Sequence, residues 1–560
     1  MTGASVPAEV TGDPPVTNVA AHLPRVARER PYAPAIHAPA GTDRRGRVRY
    51  VHYTYRQLDE ASDRIAHGLG RSGVGRGTRT ALMVRPSLEL FALVFGLFKA
   101  GAVPVMIDPG IGLRRVGECL ARARPEAFIG VGAAHAARLA LRWGRASVRT
   151  LITVGPIAPW GGPTLGEVER RGRGHGPALS ATRLDDPAAI LFTSGSTGPP
   201  KGAVYTHGTF LAQVEAIRAM YGIRPGEVDL PTFPLFALFD PALGMTTVIP
   251  DMDPTRPARA RGDRLVQAIE DFGVTTMFGS PALVNALSRY GVRRGVRLPS
   301  LRRVISAGAP VGAEVLARMR QLMPEDGVVA TPYGATECLP VATIESREVL
   351  DETAARTAEG GGVCVGYPVP EAEVRIVAVE DGPIPRWRDA TVLPAGEIGE
   401  IVVRGPMATR EYFDEPEPTG LAKIRDEEGS GFAHRMGDLG YLDGGGRLWF
   451  CGRKGQRVET ARRTYYTAPC EGVFNAHPAV HRSALVRLPG PRPGVCLELE
   501  EGVAKREHAG LLRELRARAE RHEATRGIER FLIHPGFPVD VRHNAKIRRE
   551  ELAAWAARAR

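Results

Sequence analysis

Cysteine, aromatic residues, lysine and long hydrophobic runs are all scarce in this chain, and each scarcity removes a class of protein. Six cysteines in 560 residues (Cys119, Cys338, Cys364, Cys451, Cys470, Cys496) stand far apart, with no CxxC pair and no histidines at ligand spacing. Disulfide-scaffold, zinc and dithiol-redox readings are unsupported, and buried free thiols are expected. Aromatic residues make up 6% of the chain. The most apolar stretch, residues 90–107, is interrupted by Lys99 and Pro104 and is too short to span a bilayer cleanly. The opening MTGASVPAEVTGDPP has no basic-then-apolar leader pattern. A cytoplasmic, reduced protein with no membrane span is expected. Lysine supplies only six of the 74 basic residues, at positions 99, 201, 423, 454, 505 and 546.

The bulk composition is that of a globular enzyme-sized chain. Hydrophobic residues make up 43% and charged residues 24%, which excludes disordered and collagenous classes. A chain this long exceeds one hydrophobic core, so two or three packed units are expected. The net charge of +12 comes from arginines spread along the chain. A spread of this kind reads as solvated surface that attracts anionic substrates, and no nucleic-acid partner is expected.

Three regions follow one another. Residues 1–20 are rich in Pro, Ala and Thr and read as a flexible N-terminus. From 21 to 452, apolar runs alternate with amphipathic stretches. Tyr55–Leu69 reads as a helix capped by Thr54, 80–84 and 103–108 as buried strands, and Leu88–Ala100 as a helix between them. The rhythm continues through 274–280, 301–308 and 327–334, as expected of a largely parallel sheet with helices on its faces. About 370–452 the pieces become short, β-rich and separated by Gly and Pro, which suggests an antiparallel subdomain. After 453 the pattern resets, with a helix near 470–477, strands at 483–488 and 494–500, and a helix at 507–524. The expected fold is α/β: a large N-terminal domain of parallel sheets with flanking helices plus the β-rich subdomain. A small, mobile C-terminal α+β domain over 453–560 follows, hinged in GRKGQRVET (452–460).

The segment that carries chemistry is LFTSGSTGPPKGAVYTHG, 191–208. An apolar strand leads into Thr193, Ser194, Gly195, Ser196, Thr197 and Gly198, then Lys201, then a helix capped at Thr206. Glycines let backbone N–H groups approach an anion, hydroxyls add donors, and Lys201 adds a positive charge, a set suited to polyphosphate. It is not a Walker A loop, because Gly202 stands where Ser or Thr is required. His207 reads as a helix-start residue with no catalytic role.

TSGSTGPPKG resembles the phosphate loop of the adenylate-forming superfamily of acyl-CoA synthetases, peptide adenylation domains and luciferases. Five other segments resemble that superfamily in the right order. SAGAP, with Gly308, Ala309 and Pro310, resembles the adenine-lining segment. YGATE resembles the motif whose Tyr333 stacks on adenine beside Gly334, whose Thr336 meets the α-phosphate and whose Glu337 holds Mg2+. HRMGDLGYLD contributes Asp438 for the ribose hydroxyls, and GRK contributes Arg453 at the hinge. HNAKIRRE contributes Lys546, the catalytic cation with Thr336 and Glu337. The residue chemistry suits these roles: a carboxylate accepts two hydrogen bonds from a diol, Glu oxygens suit a hard cation, and an ammonium stabilises charge as a carboxylate attacks the α-phosphate. The resemblance implies ATP and Mg2+ as cofactors.

The departures from the general pattern narrow the branch. In PLFALFDPALGM (234–245), Ala237 stands where many acyl-CoA synthetases carry a gating His or aromatic; Gly455 and Val458-Glu459-Thr460 alter the hinge; Ala545 precedes Lys546. Residues 228–258, 277–283, 447–460 and 537–550 resemble the β-lactone synthetases of bacterial long-chain olefin biosynthesis. That branch implies adenylation of a hydrophobic 2-alkyl-3-hydroxy acid, closure to a β-lactone, and assembly with other olefin-pathway proteins. Phe236, Ala237, Phe239, Met245 and Phe278 are the expected acyl-pocket residues. The alternatives are a fatty acyl-CoA or acyl-AMP ligase, an amino-acid adenylating enzyme, whose Phe-Asp pair Phe239-Asp240 echoes, and a non-catalytic nucleotide binder.

Overall fold

The structure, a computed structural model, describes residues 17–192, 199–428, 431–490, 492–539 and 547–559. Of the expected flexible N-terminus, residues 1–16 lie outside that range. Residues 18–20 are not frayed: Asn18 caps the turn Val19–Ala21 and donates to the carbonyls of Phe98 (3.0 Å) and Ser180 (3.1 Å), and Ala20 is fully buried.

Two large sheets form the bulk of the molecule. The smaller runs, in spatial order, Thr150–Val154, Ala127–Val131, Arg79–Met83, Val103–Met106, Pro187–Phe192 and Gly202–Thr206. Its strands are parallel except the last pair. VPVM at 103–106 is buried throughout, as expected for a strand covered on both faces. The helix Tyr55–Arg71 starts in a capping box in which Thr54 and Gln57 bond reciprocally. It packs on the helix Leu88–Lys99, where an added Cβ on Gly96 would sit 2.6 Å from Ile65, so only glycine permits that approach. One apolar cluster joins these helices to Ile36 of the other sheet and to Ile129 and Ile152 of this one. Lys99 is buried beneath them, paired with Asp59 (2.5 Å) and Asp63 (2.6 Å).

The second sheet has a parallel half, Val228–Pro231, Thr276–Gly279, Arg303–Ser306 and Val328–Ala335, and then turns antiparallel at Cys338–Glu345. The β-rich region is hydrogen-bonded to this sheet and begins earlier than expected, at Val363–Pro368. That strand pairs with Cys338–Glu345 at its C-terminal end (Thr343↔Tyr367) and with Leu448–Arg453 at its N-terminal end (Cys364↔Trp449). The switch falls at Gly366, whose φ is 84° and whose missing Cβ would lie 1.8 Å from the Thr343 carbonyl.

Beyond residue 453 a three-stranded sheet, Val480–Leu488, Arg492–Leu499 and Arg530–Ile533, packs with the helices Thr467–Asn475, His508–Arg521 and Arg549–Ala556 around two apolar clusters of its own. All six cysteines are free and buried, and burial raises their thiol pKa values.

Candidate active site

The phosphate-loop segment has the strand and the capped helix expected, with one further strand between them. Residues 202–206 form a strand that pairs antiparallel with Pro187–Phe192, with Phe192 opposite Gly202, and the helix His207–Tyr221 follows. Residues 202–206 are buried throughout, as suits a strand covered on both faces, and the sequence pattern does not single them out as a strand. Thr206 caps that helix as expected, accepting from Thr209 N at 3.1 Å. Thr193, Ser194, Gly195, Ser196, Thr197 and Gly198, which lie in sequence between Pro187–Phe192 and Gly202–Thr206, are outside the described residues. Lys201 projects over the Tyr412 ring at 5.0 Å. His207 is buried and accepts from Val19 N at 3.2 Å; burial lowers its pKa to about 4, consistent with a structural part.

Thr336 and Glu337 form the two-residue turn between Val328–Ala335 and Cys338–Glu345, with Ala335 opposite Cys338. Tyr205 in the phosphate hairpin donates its hydroxyl to the Thr336 carbonyl. The turn is also held from behind. Thr409 donates its N–H (2.8 Å) and hydroxyl (3.1 Å) to the Glu337 carbonyl, and Tyr412 donates its hydroxyl to Glu337 Oε1 at 2.7 Å.

Asp438 lies on Phe432–Leu442 directly opposite Arg453. Its carboxylate is buried, accepts from the Tyr333 hydroxyl at 2.7 Å and lies 3.0 Å from Arg453 Nη1. Burial, and then the Asp438 charge, hold the Tyr333 phenol well above its ordinary pKa, and the same carboxylate strengthens the protonation of Arg453. Gly308, with φ 97°, together with Ala309 and Pro310, follows the strand Arg303–Ser306.

These residues meet at one cavity of about 2670 Å3, lined by Lys201, Gly308, Ala309, Pro310, Tyr333, Gly334, Thr336, Glu337, Asp438 and Arg453. Lys546 lies outside the described residues; Ile547 and Arg548, which follow it, line the same cavity. An apolar extension is walled by phenylalanines in successive contact: Phe98–Phe210 (5.9 Å), Phe210–Phe239 (6.2 Å), Phe239–Phe236 (6.5 Å) and Phe236–Phe278 (4.1 Å, stacked). The helix His207–Tyr221 adds Phe210, Val214, Ile217 and Tyr221 to the lining, one face at helical spacing.

Two expected pocket residues do not line it. Ala237 is 2% exposed and packs into the helix-pair core. Met245 is 1% exposed among Val214, Ile223 and Leu243, one layer behind the wall, because it sits past the turn at Gly244 and enters the sheet. Asp240 is likewise turned inward: it accepts from Thr247 at 2.8 Å and contacts the equally buried Asp229. Its carboxyl does not line the cavity, so the Phe-Asp echo of amino-acid recognition does not extend to geometry. Burial raises both carboxyl pKa values, and the neighbouring Asp240 raises that of Asp229 further.

Four contributors escaped sequence reasoning: Tyr205, Tyr412, Lys423 and His434. Burial lowers the Lys423 pKa to about 8. Its ammonium donates to the Thr409 carbonyl and lies 3.1 Å from His434 Nδ1. The scarcity of lysine was the one available signal. Within residues 452–460, where a hinge is expected, Lys454 reaches Glu400 at 3.2 Å, which also binds the buried Arg435 at 2.6 Å.

Among the described residues, no group of three or more His, Cys, Asp or Glu side chains could hold a metal ion. A single carboxylate at the phosphate end still suits Mg2+, which keeps waters and nucleotide oxygens in place of an all-protein cage. Among the described residues, no helix is long and apolar enough to cross a membrane.

A family model described as AMP-binding enzyme matches residues 23–413. An olefin beta-lactone synthetase of Xanthomonas campestris pv. campestris is 54% identical over 550 residues, covering 97% of this chain and 98% of the relative. An olefin beta-lactone synthetase of Stenotrophomonas maltophilia is 54% identical over 551 residues, covering 96% and 98%. The fold matches the crystal structure of an anthranilate CoA ligase in complex with anthranoyl-AMP, with TM-score 0.78 and 20% identity over 97% of this chain and 98% of the other. With its ordered site motifs gathered at one cavity and its length matched almost end to end, the chain belongs to the AMP-binding enzyme family, among the adenylate-forming ligases, and is similar along its length to the olefin beta-lactone synthetases.

Proposed function

We propose that the protein uses ATP to adenylate a hydrophobic 2-alkyl-3-hydroxy carboxylic acid and then closes it to a β-lactone. The observation that carries this reading is the end-to-end identity of 54% to two olefin beta-lactone synthetases. The phenylalanine-walled extension supports a hydrophobic acid, since each buried methylene contributes about 0.8 kcal/mol to binding.

In the first step the substrate carboxylate attacks the α-phosphorus, and the bond to pyrophosphate breaks. The run 193–198 and Lys201 bind the phosphates, and Tyr333 and 308–310 border the base. Asp438 accepts from the ribose hydroxyls with Arg453 beside it, Thr336 meets the α-phosphate, and Lys546 neutralises developing charge. Mg2+ on Glu337 would screen the phosphate oxygens. In the second step the β-hydroxyl oxygen attacks the acyl carbon, the bond to AMP breaks, and the hydroxyl proton is lost. Because nucleophile and electrophile share one chain, no second substrate need be bound. Residues 453–560 form a lid that carries Lys546 and turns about 452–460. The enzyme acts in the cytoplasm with other olefin-pathway proteins.

The test is product analysis with MgATP and a 2-alkyl-3-hydroxy fatty acid, with and without coenzyme A. The expected product is one water lighter than the acid, accompanied by AMP and independent of coenzyme A. A thioester formed only with coenzyme A refutes ring closure and assigns the protein to the acyl-CoA ligases.

A further inference from the structure

Lysine is rare here, and the described lysines near the site have different partners. Lys454 pairs with Glu400, and Lys201 projects over Tyr412. Lys423 is 7% exposed, yet among the described residues no carboxylate lies within ion-pair distance of it. Its ammonium contacts the Thr409 carbonyl, His434 Nδ1 (3.1 Å) and the Phe432 ring (5.1 Å). Burying an ammonium with no carboxylate at ion-pair distance is costly, and the charge of Glu337 acts on it only from farther off, so stability alone does not account for it.

Its contacts lead to Glu337. Lys423 holds Thr409, and Thr409 holds the Glu337 carbonyl with two hydrogen bonds. Three residues on, Tyr412 holds the Glu337 carboxylate, and Tyr412 is itself bridged to Ala203 of the phosphate hairpin. The short segment 409–412 thus grips Glu337 at backbone and side chain, and Lys423 ties that segment to the neighbouring strand. A compact ammonium suits the site between the Thr409 carbonyl and an imidazole nitrogen, where a planar guanidinium would have to align its fork.

We propose that Lys423 is a positioning residue for Glu337, fixing the carboxylate, through the segment 409–412, where a nucleotide-bound magnesium ion meets it. This inference rests on the reading of Glu337 as the magnesium ligand. The experiment uses the full chain with ATP and substrate acid saturating, Mg2+ titrated and pyrophosphate release followed. A second readout, independent of turnover, is Mn2+ affinity by electron paramagnetic resonance in the presence of a non-hydrolysable ATP analogue. The variants are Lys423→Met, Thr409→Ala, their double mutant and Glu337→Gln. Lys423→Met is expected to raise the half-saturating Mg2+ about tenfold and weaken Mn2+ binding similarly, with kcat at saturating metal reduced less than threefold. Thr409→Ala shifts both in the same direction, and the double mutant exceeds the larger single effect by less than twofold, because both changes act along one chain of contacts. If Lys423→Met does not fold, Thr409→Ala decides. Wild-type metal dependence in whichever of these variants folds, with Glu337→Gln shifted, overturns the positioning role alone. Wild-type metal dependence in Glu337→Gln overturns the magnesium reading beneath it.

Discussion

Asp438→Asn is the substitution with the most calculable consequence. In the free enzyme the two carboxylate oxygens face different groups: Oδ2 accepts from Tyr333 and Oδ1 faces Arg453. Asparagine has the same shape but turns one acceptor into a donor. A donor aimed at a guanidinium is unfavourable, so the amide nitrogen turns to the tyrosine hydroxyl, which can accept. One of the two acceptors proposed for the ribose hydroxyls is then lost. A hydrogen bond to a charged group contributes about 1.5–3 kcal/mol, so kcat/KM for ATP should fall about 10- to 150-fold, mainly through KM. The assay is pyrophosphate release with ATP titrated against saturating acid. Repeating it with 2′- and 3′-deoxy-ATP closes a thermodynamic cycle: one deoxy analogue should cost the wild type the same factor and the variant almost nothing. The fold should survive, because the Arg453 side chain is 41% exposed and remains hydrated without its full partner. A folded variant whose ATP KM stays within threefold of wild type, or which rejects both deoxy analogues as strongly as wild type does, refutes the ribose assignment of Asp438.

Other substitutions probe separate parts of the molecule. Lys546→Ala should slow pyrophosphate release at least about 100-fold, the usual cost of losing one charge-stabilising group; near-normal release removes its role. Ile217→Trp fills the helix-lined groove and, by excluding two or three methylenes, should lower kcat/KM for long-chain acids about 30-fold. Short-chain acids should change less than threefold, and equal losses on both would place the chain elsewhere. The buried Asp229–Asp240 pair makes stability pH-dependent. Both carboxyls have raised pKa values in the folded chain, so it holds more protons than the unfolded chain above the ordinary carboxylate range. Stability therefore falls as pH rises through that window, by up to about 1.4 kcal/mol per pH unit for each proton held. Asp240→Asn should raise Tm relative to wild type at pH 8 and not at pH 5; an equal change at both values refutes the raised carboxyl pKa values as the cause.

The residues proposed for the nucleotide half of the site could be picked out in the sequence because each proposed role is local. Lys201, the turn pair Thr336-Glu337 and Asp438 each stand in a short motif, and the fold brings them to one cavity. Alternating buried runs and amphipathic stretches were likewise enough for the parallel sheets and for the capped helix at Thr54, since periodicity and capping act over one or two turns. Tertiary structure decided what depends on a partner distant in sequence. Residues 202–206 became a strand because Pro187–Phe192 lies alongside to accept their hydrogen bonds. The β-rich region joined the main sheet because Gly366 lets one strand serve two neighbours. Ala237 and Met245, which lie in the expected pocket segment, face the core, whereas Phe210 and Ile217, far from it in sequence, face the cavity. Lys423 shows the same limit most sharply. Its sequence neighbours carry no motif, and its place behind Glu337, 86 positions away, comes from strands that meet only in the folded chain. The sequence alone determined which chemical groups this protein possesses and the elements that carry them. The packing of those elements determined which groups share the cavity, because facing and burial are set by contacts between segments that the chain brings together only on folding.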